Sequence, residues 1–226
     1  MKPSLRHSLL AEALGTAVLL AFGTGAAVVN EQTHALGHGG VAAAFGLVVL
    51  VLIQSLGAVS GAHVNPAVTV AFWAAGRFPG ARVLPYVGAQ LLGALSGSGL
   101  VKLLATEGST LGATLPAHGP AQAFGIELAL TFWLMLVILR VTAGAKEEGL
   151  LAGITIAATV GLEALVAGPL SGASMNPARS LAPALLSGHL TDAWLYVVAP
   201  LAGALLAVAF DRLLQLKPSL DTPSPP

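Results

Sequence analysis

Hydrophobic residues fall in six long runs separated by short polar segments, and each run is long enough to cross a membrane. A helix needs about 20 mostly apolar residues to span the hydrocarbon core of a bilayer. The pattern predicts six spanning helices, at residues 8–29, 39–58, 82–105, 122–143, 149–168 and 190–214. The chain is therefore predicted to be an all-α membrane protein.

Two further apolar stretches are too short to span, and they begin at Asn65 and Asn176. In both, asparagine is followed by proline, an order typical of a helix N-cap and first helical residue. We expect half-helices over about 65–75 and 176–187, each entering the membrane from a re-entrant loop.

The two half-helices belong to a repeated sequence. Residues 57–69 and 168–180 share glycine, serine, alanine, asparagine and proline at matching places, at an offset of 111 residues. Such a duplication in an apolar chain is typical of channels and transporters, and three spans per half require the second half to insert inverted. We predict one channel domain, residues 1–214, with repeat halves at about 8–110 and 122–214.

Acidic residues inside the spans need partners, because an isolated carboxylate is costly in hydrocarbon. Glu12 recurs as Glu127 at an offset of 115 residues. Either these two residues accept hydrogen bonds from the backbone of the re-entrant loops, or they relay protons. Glu163 has no acidic counterpart, since the repeat places Leu52 there. The sequence leaves open whether Glu163 faces the pore, a subunit interface or the interfacial region.

Composition narrows the classes of function. The chain is 55% apolar and 9% charged, with a mean hydropathy of +0.83 and zero net charge, whereas soluble domains are about 25% charged. The absence of a basic block argues against nucleic-acid binding. The chain has no cysteine and no His-Glu-x-x-His or Gly-x-Ser-x-Gly pattern, so we expect neither an enzyme nor a metal or cofactor site.

Basic residues orient the predicted bundle. Those that six spans would place on one side are Lys2, Arg6, Arg77, Arg82, Arg140, Lys146, Arg212 and Lys217. The loops near 30–38 and 107–121 contain no Lys or Arg, so the positive-inside rule predicts that both termini are cytoplasmic. Lys102, near the outer end of the third span, is an exception that snorkelling would accommodate. We expect a disordered cytoplasmic tail at 215–226.

The chemistry of the predicted pore lies at the membrane midplane. The repeated tripeptides consist of Asn65, Pro66 and Ala67 and of Asn176, Pro177 and Ala178. Two facing half-helix N-termini would each contribute about half a positive charge. Each asparagine can cap its own helix through its oxygen while its amide hydrogens face the lumen. Such a site repels cations and binds the oxygen of water or of an alcohol.

Arg179 directly follows the second tripeptide, where the first has Val68. A permanent charge at that depth must face water or a partner. Arg179 is therefore either a constriction residue that excludes cations or half of a structural ion pair. His63 is a candidate pore-lining residue, with a packed, hydrogen-bonded histidine as the alternative. We expect Tyr86 and Tyr196 to be interface anchors or packing groups.

The paired Asn-Pro-Ala motifs, the second extended through Arg179 and Ser180, and the repeated Glu-x-x-x-Thr resemble the aquaporin, or major intrinsic protein, family over about residues 8–214. The resemblance implies a homotetramer of independently conducting pores in a lipid bilayer, each with six spans and two half-helices. It also implies a selectivity filter formed by Phe45, Ala164, Ala173 and Arg179.

The resemblance gives conflicting indications about the substrate. Strict water channels typically have histidine where this chain has Ala164, which implies a wider and less polar filter. Ser180 and Ala184 are as in water-type members, whereas glycerol facilitators usually have aspartate and a basic residue there. Residues 167–175 are similar to plant nodulin-like intrinsic proteins and their bacterial relatives, which pass water, glycerol and neutral metalloid hydroxides.

These observations together predict a passive channel for water and small uncharged solutes that excludes ions and protons. A glycerol or neutral metalloid hydroxide facilitator is the alternative within the class. A coupled secondary transporter, or a structural protein with a closed pore, would be a different class. The short loops and tails indicate a prokaryotic inner membrane.

Overall fold

The computed structural model describes residues 3–143 and 149–214, and the regular structure within these ranges is entirely helical. Six long helices are each apolar enough to cross a membrane, which confirms the predicted fold class. They are α1 (Leu5–Thr33), α2 (Gly37–Ser60), α4 (Val83–Leu104), α5 (Pro120–Val141), α6 (Gly149–Ser171) and α8 (Leu195–Leu214). The two half-helices are α3 (Pro66–Ala74) and α7 (Pro177–Ser187), and a 3-10 turn covers Gly80–Arg82.

Several helix ends differ from the prediction, among them both ends of α1, which runs from Leu5 to Thr33 rather than over 8–29. Helix α6 continues past Pro169 to Ser171, although proline cannot donate the backbone hydrogen bond that Leu165 O would receive in a regular helix. That carbonyl instead accepts a hydrogen bond from His38 Nε2 at 2.7 Å, so the helix does not have to stop. Helix α8 begins at Leu195 rather than near 190, because 191–194 form turns that return the chain from α7. The predicted tail at 215–226 lies outside the described residues, and so do Lys2 and Lys146.

The helices pack as two similar sets. Helix α1 packs against α2 and α4, as α5 packs against α6 and α8, and α2 and α6 join the two sets. Close approach depends on repeat-related glycines: a Cβ at Gly93 of α4 would collide with the carbonyl of Ala13, and a Cβ at Gly203 of α8 with that of Leu128. Large apolar side chains such as Leu84 and Leu103 are exposed outside, as expected for a surface that contacts lipid.

Helix direction defines two faces of the bundle. The face that carries the start of α1 and the end of α8 is called the terminal face, and the other is called the distal face. The re-entrant loop 61–65 runs inward from the terminal face to the start of α3, and loop 172–176 runs inward from the distal face to the start of α7. The two half-helices therefore begin side by side in the interior and end at opposite faces.

Candidate pore and selectivity filter

The two asparagines cap the half-helices. Asn65 Oδ1 accepts a hydrogen bond from Ala67 N at 2.8 Å, and Asn176 Oδ1 accepts from Ala178 N at 3.0 Å and from Arg179 N at 3.3 Å. Proline is the first helical residue in both cases, where its missing N–H would have had no partner. Each half-helix therefore begins with its backbone donors directed towards the centre of the molecule.

One amide hydrogen of each asparagine joins the two halves. Asn65 Nδ2 donates to Met175 O at 2.8 Å, and Asn176 Nδ2 donates to Val64 O at 2.9 Å. The sequence predicts that the amide hydrogens face the lumen. In the structure the first hydrogen of each amide is used by the opposite loop, and only the second remains for a permeating molecule. Both asparagines line the interior cavity described below.

Glu12 supports the first re-entrant loop. Its Oε1 accepts from His63 N at 2.9 Å, and its Oε2 accepts from Val64 N at 2.7 Å. Gln90 Nε2 donates to the same Oε2 at 2.8 Å. The side chain of Glu12 is fully buried and lines neither cavity. This geometry favours loop support over proton relay.

Glu127 has the same relation to the second loop. Its Oε1 accepts from Ser171 Oγ at 2.8 Å and Ser174 N at 2.9 Å, and its Oε2 accepts from Met175 N at 2.8 Å. It is also fully buried and lines neither cavity. Pro200 occupies the place related to Gln90 by the repeat, so the second loop has no counterpart of the Gln90 amide donor.

The loops need this support because their backbone is strained. Ala62 and Val64 in the first loop have φ of 47° and 40°, and Ala173 and Met175 in the second have φ of 43° and 54°. Residues with a side chain rarely adopt such left-handed angles. The strained residues match at the repeat offset, and each buried carboxylate accepts from the backbone N–H of Val64 or Met175.

Two cavities meet inside the bundle. The cavity towards the terminal face has a volume of about 460 Å³, and the one towards the distal face about 310 Å³. Phe45, Ala164 and Arg179 line both. Ala173, the fourth predicted filter residue, lines the larger cavity. Three of the four residues named from the sequence thus lie at the boundary between the two cavities.

Arg179 is held in place at that boundary. Its Nη1 donates to Gly112 O at 2.7 Å, and its Cζ lies 4.7 Å from the centre of the Phe45 ring, within the range of a cation–π contact. Arg179 is only 6% exposed. No acidic residue in the described ranges is within ion-pairing distance of it, so the structural ion pair considered for Arg179 is not formed there.

His63 is both a packed, hydrogen-bonded histidine and a residue that lines a cavity. Its ring stacks on Phe72 at 4.8 Å, contacts the edge of Phe78 at 4.9 Å and lies 5.4 Å from Tyr86. Its Nδ1 is 3.1 Å from Thr69 Oγ1. The residue is buried among these groups and also lines the larger cavity.

Glu163 lies in none of the three places that the sequence left open. It is 5% exposed, which excludes the outer surface of the chain, and it lines neither cavity. Neither of its carboxyl oxygens has a hydrogen-bond partner within the described residues. Glu163 is therefore buried between helices, and its carboxyl group has no hydrogen-bond partner among the described residues.

Two sets of supporting contacts were not predicted from the sequence, which indicated Tyr86 and Tyr196 only as interface anchors or packing groups. Tyr86 and Tyr196 are almost fully buried, and their hydroxyls donate to Ser60 O at 3.0 Å and Ser171 O at 2.6 Å. The repeat offset of 110 residues that relates the two tyrosines was the available signal. The second set lies in the loop between α4 and α5, where Gly112 O accepts from Arg179. Nothing local in that loop indicated this contact.

Comparison with known proteins agrees with this geometry. The family described as "Major intrinsic protein" matches residues 1–210. Aquaporin NIP1-1 of Zea mays is 45% identical over 200 residues, covering 88% of this chain and 71% of that protein. Nodulin-26 of Glycine max is 43% identical over 201 residues, covering 88% and 74%.

A solved structure shares the fold. The X-ray structure of the aquaglyceroporin from Plasmodium falciparum matches with a TM-score of 0.84 and 27% identity, covering 94% of this chain and 98% of that one. The members of this family are channels rather than enzymes. With its six membrane-crossing helices, two capped half-helices and a family match over residues 1–210, the chain belongs to the major intrinsic protein family, the aquaporins, and is a multi-pass membrane channel for water and small neutral solutes.

Proposed function

We propose that this channel passes glycerol as well as water, and that Phe45, Ala164, Ala173 and Arg179 form its selectivity filter. The observation that carries the proposal is the boundary between the two cavities, where a buried arginine lies against an aromatic ring and beside Ala164, with Ala173 in the larger cavity. Two methyl side chains leave more room than a histidine would. The similarity to a solved aquaglyceroporin supports the same substrate range.

The filter chemistry suits a neutral molecule with both hydroxyl and CH groups. The Arg179 guanidinium can donate hydrogen bonds to passing oxygens, while Phe45 and the alanines offer an apolar wall to the carbon atoms. A cation would meet the charge of Arg179 in a narrow, poorly screened passage. Neutral solutes therefore enter at a smaller cost than ions.

The asparagines add a second barrier to charge. The N-termini of α3 and α7 meet in the interior, and each contributes about half a positive charge. The remaining amide hydrogen of Asn65 and of Asn176 can donate to the oxygen of a permeating water. A water that accepts both bonds directs its own hydrogens away from the centre, which interrupts a continuous proton chain.

The buried acids give no support to ion coupling. Glu12 and Glu127 are occupied by donors from the loops, and Glu163 lines neither cavity. A coupled transporter would instead place carboxylates where a cation could enter. We therefore propose flux that follows the solute gradient alone.

The topology and assembly are part of the proposal. Arg6, Arg77, Arg82, Arg140 and Arg212 belong to segments at the terminal face, which supports cytoplasmic termini by the positive-inside rule. Family resemblance supports a homotetramer with one pore per chain, and residues 1–214 as a single channel domain. The expected prokaryotic inner membrane gains no support from relatives such as those of Zea mays and Glycine max, which are plant proteins.

Stopped-flow light scattering on proteoliposomes tests the proposal. Vesicles containing the channel are shrunk with an impermeant osmolyte and then with glycerol, and empty vesicles serve as the control. We expect fast shrinkage with both osmolytes and rapid re-swelling in glycerol. Fast shrinkage without re-swelling would show a water-selective channel, and shrinkage at the rate of empty vesicles would show a closed pore. Boric acid in place of glycerol tests the metalloid hydroxide alternative.

A further inference from the structure

Two basic residues bind the outer ends of the half-helices. Lys102 Nζ donates to Leu186 O at 3.2 Å, near the end of α7 at the distal face. Arg212 Nη2 donates to Ala74 O at 2.6 Å, at the last residue of α3 near the terminal face. Both accepting carbonyls lie in the final turn of their helix, where no helical N–H remains to pair with them.

The two contacts are related by the internal repeat. Lys102 and Arg212 are 110 residues apart, the offset that also relates Gly93 to Gly203. Each lies near the end of the last spanning helix of its own half and reaches the half-helix of the other half: α4 packs against α7, and α8 packs against α3. The contacts are therefore reciprocal, and each half of the channel holds the half-helix of the other.

Charge is suited to this position. A helix C-terminus carries about half a negative charge, which a nearby cation stabilises. Neither α3 nor α7 has a basic residue in its own last turn, so the cation is supplied by α8 or α4. The contact also explains Lys102, which sequence analysis treated as an exception to the positive-inside rule. A cation at this position is stabilising because α7 ends there.

The half-helices are short, so their outer and inner ends are mechanically linked. Helix α3 has 9 residues and α7 has 11, which corresponds to lengths of about 13 and 16 Å. Arg179 is the third residue of α7, whereas α3 carries none of the proposed filter residues. A tilt or shift at the end of α7 must therefore move Arg179, and one at the end of α3 moves mainly Ala67 and its cap Asn65.

We propose that Lys102 and Arg212 are positioning residues that form a reciprocal clamp on the half-helices and so set the geometry of the pore. Lys102 acts through α7 on selectivity, because Arg179 belongs to that helix. Arg212 acts through α3 on the rate of permeation, with a smaller effect on selectivity. The inference rests on the proposed function in that Arg179 is taken as part of the filter.

The test compares Lys102→Met and Arg212→Met in the full chain, with Arg6→Met as the matched control. Arg6 is an exposed cation on α1 that has no hydrogen-bond partner in the described part of the chain. Water and glycerol permeabilities are measured by stopped flow and divided by the amount of monodisperse protein in the vesicles. Wild-type water flux is measured first, so that a closed pore is distinguished from a failed clamp.

We expect Lys102→Met to change the ratio of glycerol to water permeability by about two- to five-fold, the equivalent of one cation at a helix C-terminus. Arg212→Met should lower the water permeability per channel by a similar factor and change the ratio less. Arg6→Met should leave both quantities as in the wild type. Lys102→Arg and Arg212→Lys should restore wild-type values, a rescue that a purely spatial role of the original side chain would not give.

The clamp is refuted if both methionine variants keep wild-type permeability and ratio. It is also refuted if Arg6→Met changes them equally, because the effect would then be one of overall charge. If Lys102→Met does not yield monodisperse protein, Lys102→Gln replaces it and should change the ratio in the same direction. A wild-type channel that passes only water would overturn the proposed glycerol permeation but leave the clamp testable through water permeability and cation leak.

Discussion

The two re-entrant loops are supported by equivalent contacts, but they place different side chains in the pore. Each is capped by an asparagine, supported by a buried glutamate and contacted by a buried tyrosine, at equivalent places in the repeat. The first presents His63 and Val68, whereas the second presents Ser174 and Arg179. The comparison shows that the shared residues support strained backbone, whereas the residues that differ place different side chains in the pore.

The surroundings of His63 in the first loop and of Ser174 in the second also differ. His63 packs in an aromatic cluster with Phe72 and Phe78. Its counterpart Ser174 forms a short hydrogen bond with Ser180, which also accepts from Thr114. Ser174 therefore places no ring in the second loop, and the ring beside Arg179 is that of Phe45 from α2. An aromatic cluster on one side and a hydroxyl network on the other make the pore asymmetric, although its scaffold is duplicated.

The largest expected effect comes from removing the shared supports. Glu127→Ala and Glu12→Ala each leave at least two buried backbone N–H groups without an acceptor, at a cost of about 1–3 kcal/mol per group. We expect both variants to lose most of their thermal stability in detergent, as measured by the loss of monodisperse protein on heating. If one variant unfolded like the wild type while the other did not, the two loops would not be held equivalently.

The next prediction concerns the residue that differs most. Arg179→Val gives the second loop the residue that follows the first tripeptide, Val68. Two unit charges 4 Å apart interact by about 4 kcal/mol in a partly screened site, so removing this charge should raise cation leak by roughly a hundredfold or more. Potassium flux from loaded vesicles measures the leak, and glycerol flux should rise as the filter widens. An unchanged leak of potassium and protons would place Arg179 outside the constriction.

The smallest expected effect concerns Glu163, which differs from its repeat counterpart and lines neither cavity. Glu163→Leu introduces the residue that the repeat has at Leu52, and it removes a buried carboxyl group that has no partner among the described residues. We expect a gain of about 1–3 kcal/mol in the free energy of unfolding, seen as a higher unfolding temperature with unchanged permeability. Glu163→Gln keeps an unpaired polar group and is the control. A loss of stability on Glu163→Leu would mean that the carboxyl group has a structural role.

Local features made much of the fold predictable. Apolar runs of membrane length and the order asparagine then proline act within a few residues, and they correctly indicated six spans and the starts of α3 and α7. The ends of elements were less predictable. Helix α6 passed Pro169 because His38, far away in sequence, accommodates the free carbonyl of Leu165.

The residues of the candidate site were also predictable only in part. The internal repeat and the family resemblance led to Glu12, Glu127, Phe45 and Arg179, because matching positions can be compared within the sequence itself. Gly112 could not be found in this way, since it belongs to a loop whose path depends on where Arg179 lies. The orientation of Glu163 was also unpredictable, because a helix that is hydrophobic all round gives no indication of which face is turned inward.

The sequence by itself determined that the chain is a duplicated, six-span membrane protein with two capped half-helices, since hydropathy, helix caps and repeats are properties of short segments. Only the tertiary structure decided which side chains of one half form hydrogen bonds with the other half. The amides of Asn65 and Asn176 cross to the opposite loop, and Lys102 and Arg212 cross to the opposite half-helix. These contacts join residues 84 to 138 positions apart, and their geometry exists only after the helices have packed.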